Sequence, residues 1–232
     1  MIRYIWKERY KMKLLINGLI KFVCGLLLVA LLVFLPAGTI EYFGGLLFVG
    51  VLFVPILILG AVLFFKAPDL LAKRLDSKEK QGAQKAVVAL SALGFIAGFV
   101  VAGLDFRFGW SSLPVWVSVV ASVLFLISYG LYAEVMRENA YLSRTVKVEE
   151  GQQVVSTGLY GIVRHPMYAA TVLMFMMIPL ILGSLPSFVI FLHYPVLISV
   201  RIKNEEKLLV RELAGYEEYR NKVKYRLIPF VW

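Results

Sequence analysis

Cysteine is nearly absent from this 232-residue chain, where Cys24 stands alone. A lone thiol forms no intrachain disulfide and no thiolate metal cluster. Histidine is scarce too, with only His165 and His193, and no acidic residues gather around His193, so no metal site is expected. Charge is sparse. Asp, Glu, Lys and Arg make up 17% of residues and hydrophobic residues 60%, whereas soluble domains carry about 25% and 45–50%. Disorder is excluded, and an ordinary soluble domain is a poor match. Internal repeats, low-complexity tracts and a glycine-rich dinucleotide loop are missing as well.

What the chain has instead is long charge-free runs: Phe22–Ile40, Tyr42–Phe65, Ala86–Leu104, Phe108–Ala133 and His165–Val200. A bilayer core about 30 Å thick takes roughly 20 such residues per helix. Dividing the last run at Gly183-Ser184-Leu185-Pro186-Ser187 gives six segments, the final two short enough to form a hairpin. The expected fold is an all-α, polytopic integral membrane protein with about six transmembrane segments and a helical C-terminal tail. Residues 1–136 are expected to be a four-span scaffold and residues 137–232 the chemical half. The first run has a basic flank, but five apolar segments follow it, and it is expected to be a retained span.

The net charge of +10 is organised by connection. Of 25 Lys and Arg, 24 fall in the N-terminal segment, in 66–85, in 137–164 and in the tail from Arg201; only Arg107 falls in the opposite turns. That is the positive-inside pattern with both termini cytoplasmic, reinforced by anionic headgroups. It leaves no call for a nucleic-acid partner.

Ionisable groups at membrane depth are costly and tend to be functional. The first four segments hold almost none in their centres, and Glu134 and Arg137 read as an i,i+3 interfacial pair. By contrast, Gly158-Leu159-Tyr160-Gly161-Ile162-Val163-Arg164-His165-Pro166-Met167-Tyr168 concentrates polar and aromatic side chains before an apolar helix, with Pro166 suited to its first turn. Taken singly, these residues also suit an interfacial belt. A second cluster follows the hairpin: Arg201, then Glu205-Glu206, then Tyr216-Glu217-Glu218-Tyr219 and a basic run to Arg226.

Residues 139–229 resemble the isoprenylcysteine carboxyl methyltransferase family and its membrane phospholipid and thiol methyltransferase relatives. The resemblance is carried by Gly158-x-Tyr160-x-x-x-Arg164-His165-Pro166-x-Tyr168, by Arg201-x-x-x-Glu205-Glu206-x-x-Leu209, by Tyr216-x-x-Tyr219 and Pro229, and by Asn139 ahead of them. It implies S-adenosylmethionine bound on the cytoplasmic side and a lipophilic or small methyl acceptor: a carboxylate, a thiol or a lipid amine. Carried over by position, it implies a cofactor pocket of Tyr160, Arg164, His165, Pro166, Tyr168, Glu205 and Glu206. On chemical grounds Arg201 is expected to orient an anionic acceptor, with Glu205 holding it. The prenylcysteine enzymes of the family place an arginine where this chain has Tyr129, a departure that weighs against a prenylcysteine carboxylate. Two other readings stand beside this one. A sterol- or enone-reductase-like enzyme using NADPH would need Lys222, Lys224 and Arg226 for the cofactor's phosphates. A non-enzymatic membrane protein would need polar groups within its spans.

Overall fold

The computed structural model describes residues 2–76, 82–139, 141, 142, 148 and 150–232, and the side chains of all of these except 2–8, 82 and 83. Lys78, Lys80, Arg144 and Lys147, counted above, lie outside the described residues, as do the side chains of Arg3 and Lys7. Among the described residues there is no strand.

Each helix boundary has a local cause. The first helix, α1 (Ile2–Ala37), ends before Gly38, whose φ of 72° suits glycine, and α2 (Phe43–Lys66) ends before Ala67, which precedes Pro68 and so disfavours helix. Pro68 then opens the short α3 (Pro68–Leu75), which is followed by α4 (Gly82–Phe108). Pro114 sits at the cap of α5 (Val115–Glu138) and Pro166 at the first turn of α6 (Pro166–Ile181). Ser184 caps α7 (Leu185–Phe191) by accepting from the Ser187 amide at 3.2 Å. After a break at Leu192, α8 (His193–Glu212) runs on without interruption through Arg201 and both glutamates, and Gly215 (φ 80°) leads into α9 (Tyr216–Lys222).

Five stretches are long and apolar enough to cross a membrane: Arg9–Ala37, Phe43–Lys66, Gln84–Phe108, Val115–Glu138 and Leu185–Glu212. The sixth segment, Pro166–Ile181, is shorter than a full crossing. Large apolar side chains along α1, α2 and α5 stay exposed, Leu27, Leu35, Phe65 and Trp116 among them, which is the surface a lipid solvent requires. The interior is aromatic: Phe48, Phe99, Phe125 and Phe191 are buried together, with Phe95 packed against them. Small residues bring the helices close. A Cβ at Gly103 would stand 2.5 Å from the Val33 carbonyl oxygen, so α1 and α4 meet there because a side chain is missing.

The three charge-poor turns meet at one end of the bundle. Tyr42 stacks on Phe106 with ring centroids 4.2 Å apart, and its hydroxyl donates to the Leu182 carbonyl. Ser111 donates to Asp105 at 2.6 Å and accepts from the Leu185 amide at 3.2 Å. The residues singled out for chemistry lie at the other ends of these helices.

Candidate active site

The site begins at a corner. Gly158 has φ 52°, a conformation that favours glycine, and it brings the 3₁₀ turn Gly158–Gly161 against the Glu138 carboxylate at the end of α5. The Leu159 amide donates to Glu138 at 3.2 Å. This turn places Tyr160, whose hydroxyl accepts from Asn139 Nδ2 at 2.9 Å and whose carbonyl accepts from the Tyr219 hydroxyl at 2.7 Å. The chain then pairs with its own tail: the Arg164 and His165 amides each donate at 2.9 Å, to the Tyr225 and Arg226 carbonyls.

Beneath the corner lies a buried ionic cluster. Glu206 accepts from Arg164 Nε at 2.7 Å on one oxygen and from Arg226 Nε at 2.8 Å on the other, with His165 Nε2 at 3.3 Å. Arg164 Nη1 donates to the Val223 and Lys224 carbonyls, both at 2.7 Å. These bonds occupy both oxygens of Glu206 but leave Arg164 Nη2 without a partner among the described residues.

A second chain of contacts runs along α8. Tyr168 donates to Glu205 Oε2 at 2.6 Å and accepts from Arg201 Nε at 2.9 Å. The His165 ring stacks on Tyr168, centroids 5.7 Å apart.

Over both networks opens a cavity that is partly open to solvent. Tyr160, Arg164, His165, Pro166, Tyr168 and Glu205 line it. Glu206 does not: it lies below the wall and holds Arg164, His165 and Arg226. Arg201 is also outside the lining and reaches it through Tyr168. Further walls come from Asn139, Tyr141, Leu142, residues 152–155, Leu209 and Leu213. Met167, Tyr216 and Tyr219 line it too, and the Tyr216 hydroxyl is buried with no hydrogen-bond partner among the described residues. Sequence reasoning had Tyr216-x-x-Tyr219 as a pattern without a role; the i,i+3 spacing, which puts both rings on one helix face, was the available signal. Burial pushes the Tyr160, Tyr216 and Tyr219 phenols above their ordinary value, so all three are neutral hydroxyls near neutral pH. Among the described residues no cluster of His, Cys, Asp and Glu fits a metal ion.

Comparison with known proteins picks out the same part of the chain. Residues 118–211 match the isoprenylcysteine carboxyl methyltransferase (ICMT) family. Delta(14)-sterol reductase TM7SF2 of Mus musculus is 30% identical over 91 residues, 38% of this chain and 22% of that protein. Uncharacterized protein YpbQ of Bacillus subtilis (strain 168) is 30% identical over 95 residues, 40% of this chain and 56% of that protein. The chain thus spans well under two thirds of either curated relative. The solved structure of the eukaryotic intramembrane Ras methyltransferase ICMT aligns with 94% of this chain and 86% of its own, at 19% identity and a TM-score of 0.48. The stretch that matches this family, residues 118–211, carries most of α5, the Arg164–His165 corner, α6 and nearly all of α8.

Proposed function

We propose that this is an integral-membrane methyltransferase that uses S-adenosylmethionine and methylates a lipophilic or small acceptor bearing a carboxylate, a thiol or an amine. The observation that carries the reading is the Tyr216 hydroxyl, buried, unpartnered and on the wall of a cavity that also presents Glu205 and Arg164. An orphaned buried hydroxyl costs free energy unless a ligand completes it. The donor set fits a zwitterionic nucleoside. Arg164 Nη2 suits a carboxylate, the free oxygen of Glu205 suits an amine or a ribose diol, and Leu142, Val154, Leu209 and Leu213 offer an apolar wall for a base. Tyrosine faces nearby suit a sulfonium cation.

S-adenosylmethionine, when bound, supplies a methyl group on a good leaving group, so the reaction asks the protein for alignment and water exclusion rather than for a metal. Glu206 serves as a positioning residue: it fixes the Arg164 guanidinium and the His165 ring, so that Nη2 and the imidazole face meet the cavity pre-oriented. Arg201 does the same for Tyr168, and Tyr168 for Glu205. Pro166 starts α6 without an unsatisfied amide at the wall. The 24-to-1 charge split supports a cavity on the cytoplasmic side, with both termini there.

The likeness to a sterol reductase favours a second reading, with NADPH in the same cavity. Its phosphates would need Lys222, Lys224 and Arg226. None of the three lines the cavity; Arg226 is turned to Glu206 and lies over the Trp232 ring at 5.3 Å. Calorimetric titration of the purified protein separates the readings: S-adenosylmethionine is expected to bind and NADPH not, and the reverse result would overturn the assignment. Tyr216→Phe is the finer test. It should weaken S-adenosylmethionine binding by about 0.5–1.5 kcal/mol while leaving the unliganded protein as stable or more so, because the hydroxyl has no hydrogen-bond partner among the described residues.

A further inference from the structure

The last turn of α3 meets the site from outside the family-matched segment. Arg74 extends from there to the seam of α5 and α6: its guanidinium donates to the Tyr132 hydroxyl, lies 5.3 Å from the Tyr132 ring centroid, and approaches the Met167 sulfur at 3.8 Å. Met167 is the second residue of α6 and belongs to the cavity wall. A guanidinium carries five N–H donors. Here one goes to a phenol and one to a thioether, both weak acceptors, and among the described residues no carboxylate pairs with it.

The bland account is that a cation belongs at the C-terminus of a helix. Lys73 already sits in that turn, and a solvated rotamer of Arg74 would meet the preference equally. Neither explains a half-buried guanidinium stretched across to two other helices. The surface beside it is apolar: Phe65, just before α3, and Leu131, next to Tyr132, are both exposed. A cation whose remaining donors meet no anion among the described residues, set between an apolar exposed surface and a cavity wall, is arranged to receive the charged head of an amphiphile.

We propose that Arg74 binds the anionic head of the methyl acceptor, so that the acceptor is an amphiphile bearing an oxyanion, held at the α5–α6 seam while its tail remains in the bilayer. The proposal rests on the methyltransferase reading above. It makes the N-terminal half a contributor to specificity. Arginine suits the task better than lysine because its planar fork meets an oxyanion with two parallel hydrogen bonds.

The test uses the full chain in nanodiscs of zwitterionic lipid, with three photoreactive diazirine probes of equal chain length: a fatty acid, an alkyl phosphate and the neutral methyl ester of the acid. The expected result is that an anionic probe labels peptides containing Tyr132 or Met167 in preference to the ester. Arg74→Ala should lower that labelling roughly tenfold to a hundredfold, to the level of the ester, and Arg74→Lys should keep part of it. S-adenosylmethionine affinity, measured by calorimetry, should be the same in all three proteins, which also certifies their folding. Preference for the acid over the phosphate identifies a carboxylate acceptor, and the opposite order a phospholipid. Equal labelling by charged and neutral probes in the wild type, or a preference that survives Arg74→Ala, overturns the proposal. A preference that depends on Arg74 in a protein that does not bind S-adenosylmethionine removes the methyltransferase reading and leaves only an anion site.

Discussion

At the end where the charge-poor turns gather, the contacts are neutral or short in range: Tyr42 on Phe106, Ser111 between Asp105 and Leu185, and Gly103 against Val33. At the other end a single carboxylate, Glu206, draws together α8, the corner before α6 and the tail after α9. The first arrangement spreads its energy over many small contacts. The second concentrates it in one buried cluster, where losing one partner leaves the others charged and unpaired. A bundle meant only to sit in lipid has no need of the second arrangement, and its presence marks where geometry is held tightly.

Breaking the cluster should have the largest effect. Glu206→Gln removes the charge from between Arg164, His165 and Arg226, and should cost about 3 kcal/mol, the low end for a broken buried pair because Arg226 is about one third exposed. Unfolding in detergent measures it, and S-adenosylmethionine binding should fall in parallel. Stability equal to the wild type would show that the cluster is not what holds the corner.

A smaller loss is expected at the opposite end. Gly103→Val forces a side chain against the α1 backbone and should destabilise by about 1–3 kcal/mol through overpacking, yet leave cofactor affinity unchanged. If affinity falls as well, the two ends are coupled and the contrast drawn here is false. Smallest of all is Arg137→Ala, which opens an exposed pair with Glu134 on the last turns of α5. Neither unfolding nor binding should move measurably.

The apolar segments were readable from the sequence because charge-free runs and the turns between them are one-dimensional signals. The helix breaks at Gly38, Pro114 and Gly183 fall where composition put them. The concentration of Tyr160, Arg164, His165 and Tyr168 was visible for the same reason, and the structure brings all four to one cavity. The Glu205-Glu206 pair was legible in kind but not in direction. Neighbouring residues on a helix point about 100° apart, so Glu205 turns to Tyr168 and the cavity while Glu206 turns to Arg164 and Arg226. Arg201, one turn before Glu205, ends behind Tyr168 because that ring lies between it and the cavity. Tyr141, Leu142 and residues 152–155, which also line the cavity, formed no pattern in the sequence. Arg74 was hidden for another reason: its contact joins distant parts of the chain, and counted by segment it was one more inside charge.

The pairing of Arg164 with Tyr225 and of His165 with Arg226 also sets an order of events during synthesis. The apolar helices precede in the chain the tail segment that closes the corner. Until Arg226 has been made, Glu206 has one of its arginines missing. A chain ended before Tyr225 would carry every helix described above but leave the Arg164–His165 corner without its backbone partners.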